Sequence, residues 1–202
     1  HILKQRNNYL KKLREGNNNG DLLEIWNEKL IEIGTKIIKK RLEVIDKLKI
    51  LARLSHRKIT DGSESLDIEY DSSFSKKPGK NETSLIFRND LANNKDREIR
   101  LGYTLVGPHR DDLALKINEI DVRKYGSQGQ QRTAALALKM AELEFMKSET
   151  GEYPVLLLDD VFSELDKIRR DKLLNLLIDR VQTFITTTDI NLLGDMIKKG
   201  IY

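Results

Sequence analysis

Apolar residues recur at helical spacing over a long stretch near the start of the chain. They lie three, four or seven positions apart, which is typical of one buried helix face, at Leu22, Trp26, Leu30, Ile33, Ile37, Val44, Leu48 and Leu51. A second row follows at Ile31, Ile38, Ile45 and Ala52. The pattern predicts a helix from Asp21, a suitable N-cap, to about Leu54. A shorter helix over residues 2–15 precedes it.

The seven-residue spacing within the long helix leaves two interpretations open. Leu30, Ile37, Val44 and Leu51 repeat as in a coiled-coil arm. The whole apolar stripe is nevertheless broad for a bare two-stranded coil. We therefore favour a helix that packs on its own lobe as one of an antiparallel pair.

The other apolar segments are short and predict strands that alternate with helices. The predicted strands cover residues 66–70, 113–117, 120–122, 155–160 and 183–187. The predicted helices cover residues 83–100, 167–179 and 192–199, together with one that begins after Ser127. A strand, helix, strand, helix order at the end of the chain predicts a doubly wound α/β layer. We expect its further strands to come from outside this sequence.

A glycine-rich turn opens one of these helices. Ser127 is a good N-cap, and residues 133–141 are strong helix formers. The N–H groups of such a helix start, the positive end of its dipole and the Ser127 hydroxyl suit an anion such as the terminal phosphate of a nucleotide. A plain helix cap is the alternative.

Two adjacent carboxylates end the apolar run that begins at Val155. Asp159 stands where it could hold Mg²⁺ through water, and Asp160 stands where it could orient an attacking water. An apolar strand that ends in Asp is more often plain core, so this signal is weak by itself. The order and spacing of the glycine turn, the carboxylates and residues 163–166 together favour a nucleotide site.

Three motifs in this part of the chain resemble those of ATP-binding-cassette (ABC) ATPases. The segment Ser127-Gln128-Gly129-Gln130-Gln131 is similar to their signature motif, residues 155–160 to their Walker B strand, and Ser163-Glu164-Leu165-Asp166 to their D-loop. Four segments resemble one family of these ATPases in particular, the RecF family of recombination mediators, which are relatives of the structural-maintenance-of-chromosomes ATPases. The segments are residues 4–7, 103–113, 125–132 and 156–166. This resemblance covers nearly the whole chain.

The resemblance implies roles for individual residues. The signature residues that would close over ATP held by a partner subunit are Ser127, Gln128, Gly129 and Gln130. Asp159 would hold Mg²⁺ and Asp160 would be catalytic, whereas the other motif residues are Ser163 and Asp166 in the D-loop and Thr188 at the switch position. The wider ABC pattern has Glu at the position of Asp160 and His at that of Thr188. The shorter carboxylate and the missing imidazole indicate slow hydrolysis.

The resemblance also implies a fold, partners and a cellular role. The fold would be α/β of the ABC ATPase type, with a helical lobe over residues 1–105 and the C-terminal part of the nucleotide-binding lobe over residues 106–202. The protein would be cytoplasmic, would use ATP and Mg²⁺ in DNA replication, repair and the SOS response, and would form a homodimer on ATP binding. Its partners would be DNA, especially gap junctions between single and double strands, and the RecO and RecR proteins, with which it would assist RecA loading.

The composition of the chain bears on its partners, its compartment and its completeness as a nucleotide site. Lys and Arg number 36 against 32 Asp and Glu, and the net charge of +4 is only a mild hint of a polyanionic partner. The absence of cysteine fits a reducing compartment, and no apolar run approaches the roughly 20 residues of a membrane span. No Gly-x-x-x-x-Gly-Lys-Ser/Thr phosphate loop is present. We therefore expect a piece of a longer protein that binds ATP poorly by itself.

The polar side of the long helix carries mostly positive charge. Its candidate DNA contacts are Lys36, Lys39, Lys40, Arg41, Arg53 and Arg57. Such a run is usually a solvated face, but the bias here favours contact with a phosphate backbone without base reading. A phosphate or DNA role for His109 and Arg110 in the Gly107-Pro108 turn is left open.

Two other functions compete with the ATPase. A non-catalytic helical module for DNA or protein binding would keep the basic helix and make Asp159 and Asp160 structural. A subunit of an ABC transporter is disfavoured by Gln128, by Asp160 and by the long basic helix.

Overall fold

The computed structural model describes residues 1–16, 21–79, 81–178 and 180–189, and within them helices and strands alternate. The helices are α1 Ile2–Arg14, α2 Asp21–Thr60, α3 Thr83–Leu101, α4 Val122–Tyr125, α5 Gln128–Thr150 and α6 Lys167–Leu177. The strands are β1 Leu66–Asp71, β2 Asp112–Ile117, β3 Ile120–Asp121, β4 Leu156–Asp159 and β5 Thr183–Thr186, and a 3-10 helix, Val161–Glu164, follows β4. The α/β class is confirmed. The predicted final helix, 192–199, lies outside the described residues.

The long apolar pattern produces the single helix α2, which continues to Thr60 rather than ending near Leu54. Its buried face consists of the whole second predicted row, two residues of the first row and two residues of neither row, namely Ile31, Ile38, Ile45 and Ala52, then Leu30 and Leu48, then Leu23 and Ile59. The rest of the helix surface is polar apart from six exposed apolar residues, Leu22, Ile25, Ile33, Ile37, Ile50 and Leu54. Three of these, Leu22, Ile33 and Ile37, belong to the first predicted row, so that row is not buried as a whole. None of the described helices combines the length and the apolar character that crossing a bilayer requires.

The chain divides into two compact units. The first contains His1–Asp46 and Tyr70–Leu113, and the second contains Lys47–Glu69 and Ala114–Tyr202. α2 therefore contributes residues to both. The predicted division at 105/106 refers to the lobes of the family rather than to these units, and it stays a prediction.

In the first unit, α2 packs against its own chain. Leu30, Ile31 and Ile38 of α2 share a buried core with Phe74, Ile86, Phe87, Leu91 and Val106. The rings of Phe74 and Phe87 meet edge to face, with centroids 4.9 Å apart. This burial favours the packed helix over a free coiled-coil arm.

A buried ion pair lies in the first unit. Arg6 of α1 and Glu98 of α3 are 2.6 Å apart, and their side chains are 1% and 0% exposed. Arg6 also donates to Asn27 Oδ1 and to Thr104 Oγ1 at 2.9 and 2.7 Å. Glu98 accepts a further hydrogen bond from the Leu105 N–H at 2.7 Å. The network ties α1, α2, α3 and the segment after α3 together.

A hairpin leads into the turn before α5. Strands β1, β2 and β3 form one sheet in that order, with β2 and β3 antiparallel. Asn118 and Glu119 turn the chain between β2 and β3 with φ of 49° and 67°, the left-handed region. The predicted hairpin is confirmed, except that Val122 begins α4 instead of extending β3.

The last two described strands, β4 and β5, are parallel, and α6 connects them as the crossover helix that parallel pairing requires. Leu158 of β4 is 7% exposed, whereas Leu157 and Phe184, opposite each other on the other face, are 73% and 58% exposed. Parallel sheets in α/β proteins are covered on both faces. The described residues therefore cover one face of this pair and leave the other open.

Candidate functional site

A complete capping box holds the turn before α5. Ser127 is the N-cap, and its Oγ accepts a hydrogen bond from the Gln130 N–H at 3.2 Å. In return, Gln130 Oε1 accepts from the Ser127 N–H at 3.0 Å. The first turn of α5 contains no acidic residue. The positive end of the helix dipole is therefore not neutralised from within its own helix.

Close approaches at two glycines fix this turn. A Cβ on Gly126 would lie 2.5 Å from the carbonyl oxygen of Val122, and a Cβ on Gly129 would lie 2.9 Å from Arg169 Nη1. Either position therefore admits a larger residue only if its neighbour moves. Gln128, the first residue of α5, is exposed.

A side chain from the second unit's own loop anchors the start of α5. Gln130 Nε2 donates to Glu64 Oε1 at 2.8 Å, and Glu64 Oε2 lies 3.8 Å from Nε2 of His56. His56 lies on α2 and is fully buried. Burial lowers the pKa of His56, and the opposing attraction of Glu64 does not compensate for it. The ring is therefore neutral at neutral pH.

The predicted D-loop contacts the same turn through an arginine. Asp166 is the N-cap of α6, and its Oδ1 accepts from the Arg169 N–H at 2.9 Å. Asp166 Oδ2 lies 3.2 Å from Arg169 Nη1, the atom that borders Gly129. Ser163 lies in the 3-10 helix.

Asp159 and Asp160 form a second group at the carboxyl end of β4, beside Thr186 of β5. The Thr186 hydroxyl donates to Asp159 Oδ1 and accepts from the Asp160 N–H at 3.1 Å. Asp160 has φ of 48° and ψ of 25°, a left-handed conformation that is uncommon outside glycine. Thr188, the predicted switch residue, lies exposed beyond the end of β5.

Asp159 offers one exposed carboxylate to a Mg²⁺ ion. Within the described part of the chain, no group of three or more His, Asp or Glu side chains is placed to hold a metal. In nucleotide sites Mg²⁺ usually takes one or two carboxylates, and phosphates and water complete its shell. The donor set therefore fits Mg²⁺ that arrives with a nucleotide better than a resident metal centre.

The basic side of α2 is more neutralised than its sequence indicates. Three of the candidate DNA contacts are paired, Lys36 with Glu32 at 2.7 Å, Lys40 with Glu43 at 3.7 Å and Arg53 with Asp67 at 2.7 Å. Arg41 donates to the carbonyl oxygen of Pro108 at 2.5 Å. Lys39 and Arg57 are exposed, and neither forms an ion pair with another described residue.

His109 and Arg110 are tied to their own segment. His109 Nε2 and the Arg110 guanidinium each lie 3.3 Å from the carbonyl oxygen of Thr104. Arg110 also lies over the Tyr103 ring, 5.1 Å from its centroid. These contacts give both residues a structural role in the turn. A phosphate or DNA role for them stays a prediction.

The sequence patterns do not point to two residues of the site, Glu64 and Arg169. Each contacts the turn before α5 from a distant part of the chain, Glu64 at Gln130 and Arg169 at Gly129, so no spacing along the chain reveals these two contacts. Arg169 carries the one local signal, because it follows the N-cap Asp166 by three positions, where ion pairs on a helix form.

No family model matches the chain, but curated proteins are similar to it. It is 65% identical over 193 residues to the DNA replication and repair protein RecF of Halothermothrix orenii, which covers 94% of this chain and 52% of that protein. It is 48% identical over 192 residues to the RecF protein of Staphylococcus carnosus, again with 94% and 52% covered. The chain thus spans about half the length of these curated relatives.

Two solved structures share the fold. One is described as the recombination mediator protein RecF-ATPrS in the RecFOR pathway, with a TM-score of 0.81, 41% identity and coverage of 94% of this chain and 51% of that one. The other, RecF-ATP in the same pathway, has a TM-score of 0.80 with the same identity and coverage.

Proposed function

Because the chain belongs to the RecF family, we propose that it forms part of a slow ABC-type ATPase that acts as a recombination mediator in DNA replication and repair. The observation that carries this proposal is the fixed start of α5, an anion-compatible turn in which the first turn of the helix contains no acidic residue of its own. That turn lies in a chain 41% identical to relatives described with ATP and ATPrS.

In the proposed mechanism, the turn at Ser127 closes over the terminal phosphate of ATP that a second subunit holds. The capping box and the Gln130–Glu64 bond fix its geometry before nucleotide arrives. Preorganised donors of this kind stabilise charge without reorganising during the reaction. The Ser127 hydroxyl can still donate its proton to a phosphate oxygen, because within the capping box it acts as an acceptor.

Asp159 and Asp160 have different roles in the proposed mechanism. Asp159 would hold Mg²⁺, which neutralises phosphate charge when bound. Asp160 would orient the attacking water. Its backbone is left-handed and is held by a hydrogen bond to Thr186, and its side chain is shorter than that of the Glu in the wider ABC pattern. The shorter reach supports slow turnover, as suits a switch that holds ATP for long periods.

The partners of the whole protein belong to the same proposal. The solved neighbours are named as members of the RecFOR pathway, which supports RecO and RecR as partners. An ATP-dependent homodimer, binding to DNA gap junctions, assistance in RecA loading and a place in the cytoplasm complete the proposal.

The test is Asp160→Asn in the full-length protein, meaning a chain of the relatives' length that contains these 202 residues. We expect ATP turnover to fall about tenfold or more while ATP affinity stays within about twofold, because the amide cannot accept a proton from water. Turnover is measured under saturating ATP, and affinity by calorimetry.

Asp171→Asn, which removes an exposed carboxylate from α6, is the matched control and should leave both quantities unchanged. Unchanged turnover in Asp160→Asn would refute the catalytic role of Asp160. A full-length wild type without ATP turnover would refute the ATPase and favour the non-catalytic helical module.

A further inference from the structure

Arg169 occupies a place that the helices alone do not favour. Its guanidinium borders Gly129 in the first turn of α5, near the positive end of that helix dipole. A cation is disfavoured at a helix N-terminus. The position is held from the other side by Asp166, whose Oδ2 lies 3.2 Å from Arg169 Nη1.

Gly129 is a second local choice that costs helix stability. Glycine within a helix is less stable than alanine, yet a Cβ here would lie 2.9 Å from Arg169 Nη1 and 3.9 Å from Ser127 Oγ. The glycine therefore leaves room for the guanidinium at the first turn of α5. A cation near a helix N-terminus and a glycine within a helix, both unfavourable locally, thus meet in one contact. Such combinations are expected where function overrides stability.

The contact also joins two motifs of the proposed mechanism. Asp166 belongs to the D-loop and caps α6, whereas Gly129 belongs to the signature turn. Arg169 is only 30% exposed, so its guanidinium is held in place rather than free in solvent. A movement of the D-loop would therefore be transmitted to the turn at Gly129 through one side chain.

We propose that Arg169 is a positioning residue that couples the D-loop to the signature turn and keeps Ser127 placed for the terminal phosphate of a nucleotide held by a second copy of the protein. This inference rests on the proposed function. It assigns Arg169 to assembly and turnover and not to the binding of ATP by one subunit.

The test compares Arg169→Gln, Arg169→Lys and Gly129→Ala in the full-length protein. For Arg169→Gln we expect ATP affinity of the monomer to stay within about twofold. ATP-driven dimerisation and turnover should fall roughly tenfold or more, because the charge-assisted contact with Asp166 that holds the side chain is lost. Arg169→Lys keeps the charge but not the planar fork, so it should recover part of the loss. Dimerisation is followed by light scattering and affinity by calorimetry.

Gly129→Ala gives a readout that a merely structural role would not produce. The new methyl group has to displace only the flexible end of Arg169, so the thermal midpoint should be unchanged or higher while dimerisation falls. In the Arg169→Gln background the same alanine should add little further loss, because the guanidinium is already absent. Fully additive losses would mean that Gly129 acts without Arg169 and would overturn the coupling.

Lys172→Gln is the matched control, because it removes another cation of α6 whose ion pair is with Asp61. It should assemble as the wild type does. Ser127→Arg distinguishes the proposed function from the proposed role of Arg169. If Ser127→Arg abolishes assembly and Arg169→Gln assembles normally, the proposed function stands and the role of Arg169 is refuted. If the wild type itself does not assemble with ATP, both are refuted.

Discussion

At the residue scale, Arg6 and Glu98 show that part of the family resemblance reflects structure rather than chemistry. Arg6 lies in the Lys4–Asn7 segment, and Thr104 lies in the 103–113 segment, yet both serve the buried network around Glu98. Asn7 joins them, since its Oδ1 accepts from the N–H of Thr104 at 2.9 Å. A motif can thus be distinctive because a buried charge needs its partners.

Removing Arg6 alone should be costly. In Arg6→Met, Glu98 is left buried without its cation, and we expect a loss of about 3–5 kcal/mol in the free energy of unfolding. The double variant Arg6→Met with Glu98→Gln should recover part of this, because the amide oxygen can still accept from the Leu105 N–H. Urea unfolding of the 202-residue chain can be followed by the fluorescence of Trp26, its one tryptophan. Arg88→Gln breaks the exposed pair with Glu28 and should have almost no effect.

His56 gives the stability of the chain a pH dependence of known sign. Burial lowers its pKa in the folded state, with Glu64 opposing and Arg169 adding to the effect. The unfolded chain therefore binds the proton more readily. The contribution of neutral His56 to the free energy of unfolding is fully present above the ordinary histidine pKa of about 6.5 and is lost as the pH falls below that value. His56→Leu should reduce the difference in free energy of unfolding between about pH 7.5 and about pH 5.5. His1→Gln, at an exposed position, should not, and an undiminished difference in His56→Leu contradicts the assignment.

At the element scale, what the sequence predicts well is what local chemistry decides. α2 follows from its apolar period, α5 from the N-cap Ser127, and the β2–β3 hairpin from its alternation and turn. Some acidic partners of the basic helix are local, as Glu32 is for Lys36 and Glu43 is for Lys40, but others are distant along the chain. Lys47, for example, pairs with Glu149, which is 102 positions away, and the Gly129–Arg169 contact is equally invisible along the chain.

The structure therefore narrows the test of DNA binding on α2. Arg41 donates to the Pro108 carbonyl, so its replacement would disturb a turn, and Lys36, Lys39 and Lys40 are the better set. Their joint replacement by Gln should weaken binding about equally across DNA sequences and reduce the salt dependence by roughly one unit for each phosphate that is no longer neutralised. A variant with Lys11, Lys12 and Lys95 replaced by Gln loses the same charge from exposed positions elsewhere and should keep the wild-type slope. If the salt dependence of binding is equal in all three proteins, the basic side of α2 is a solvated face and does not contact DNA.

At the scale of the whole molecule, the described residues leave one face of the β4–β5 pair uncovered. Leu157 and Phe184 are 73% and 58% exposed on strands of a kind normally covered on both faces. The chain spans about half the length of the curated relatives that it matches. The sequence indicates the predicted signature turn and the two carboxylates separately, whereas the proposed composite sites would form only with a second subunit.

The composite site is tested by Ser127→Arg in the full-length protein. The variant should bind ATP as a monomer nearly as well as the wild type, because the proposed pocket uses other residues, and it should fail to dimerise because the arginine fills the anion site. Ser148→Arg, at an exposed position near the other end of α5, is the control and should dimerise normally.

A mixture of two defective proteins makes this test sharper. When Ser127→Arg is mixed with a variant that lacks the Walker A lysine, one of the two composite sites contains neither lesion, because each site takes its signature from one subunit and its nucleotide pocket from the other. Some turnover or heterodimer should therefore return, and light scattering together with an ATPase assay can measure both. A signature that served the nucleotide of its own subunit would restore nothing in the mixture, since every site would then carry a lesion. ATP-driven dimers of Ser127→Arg alone at the wild-type level would remove Ser127 from the interface.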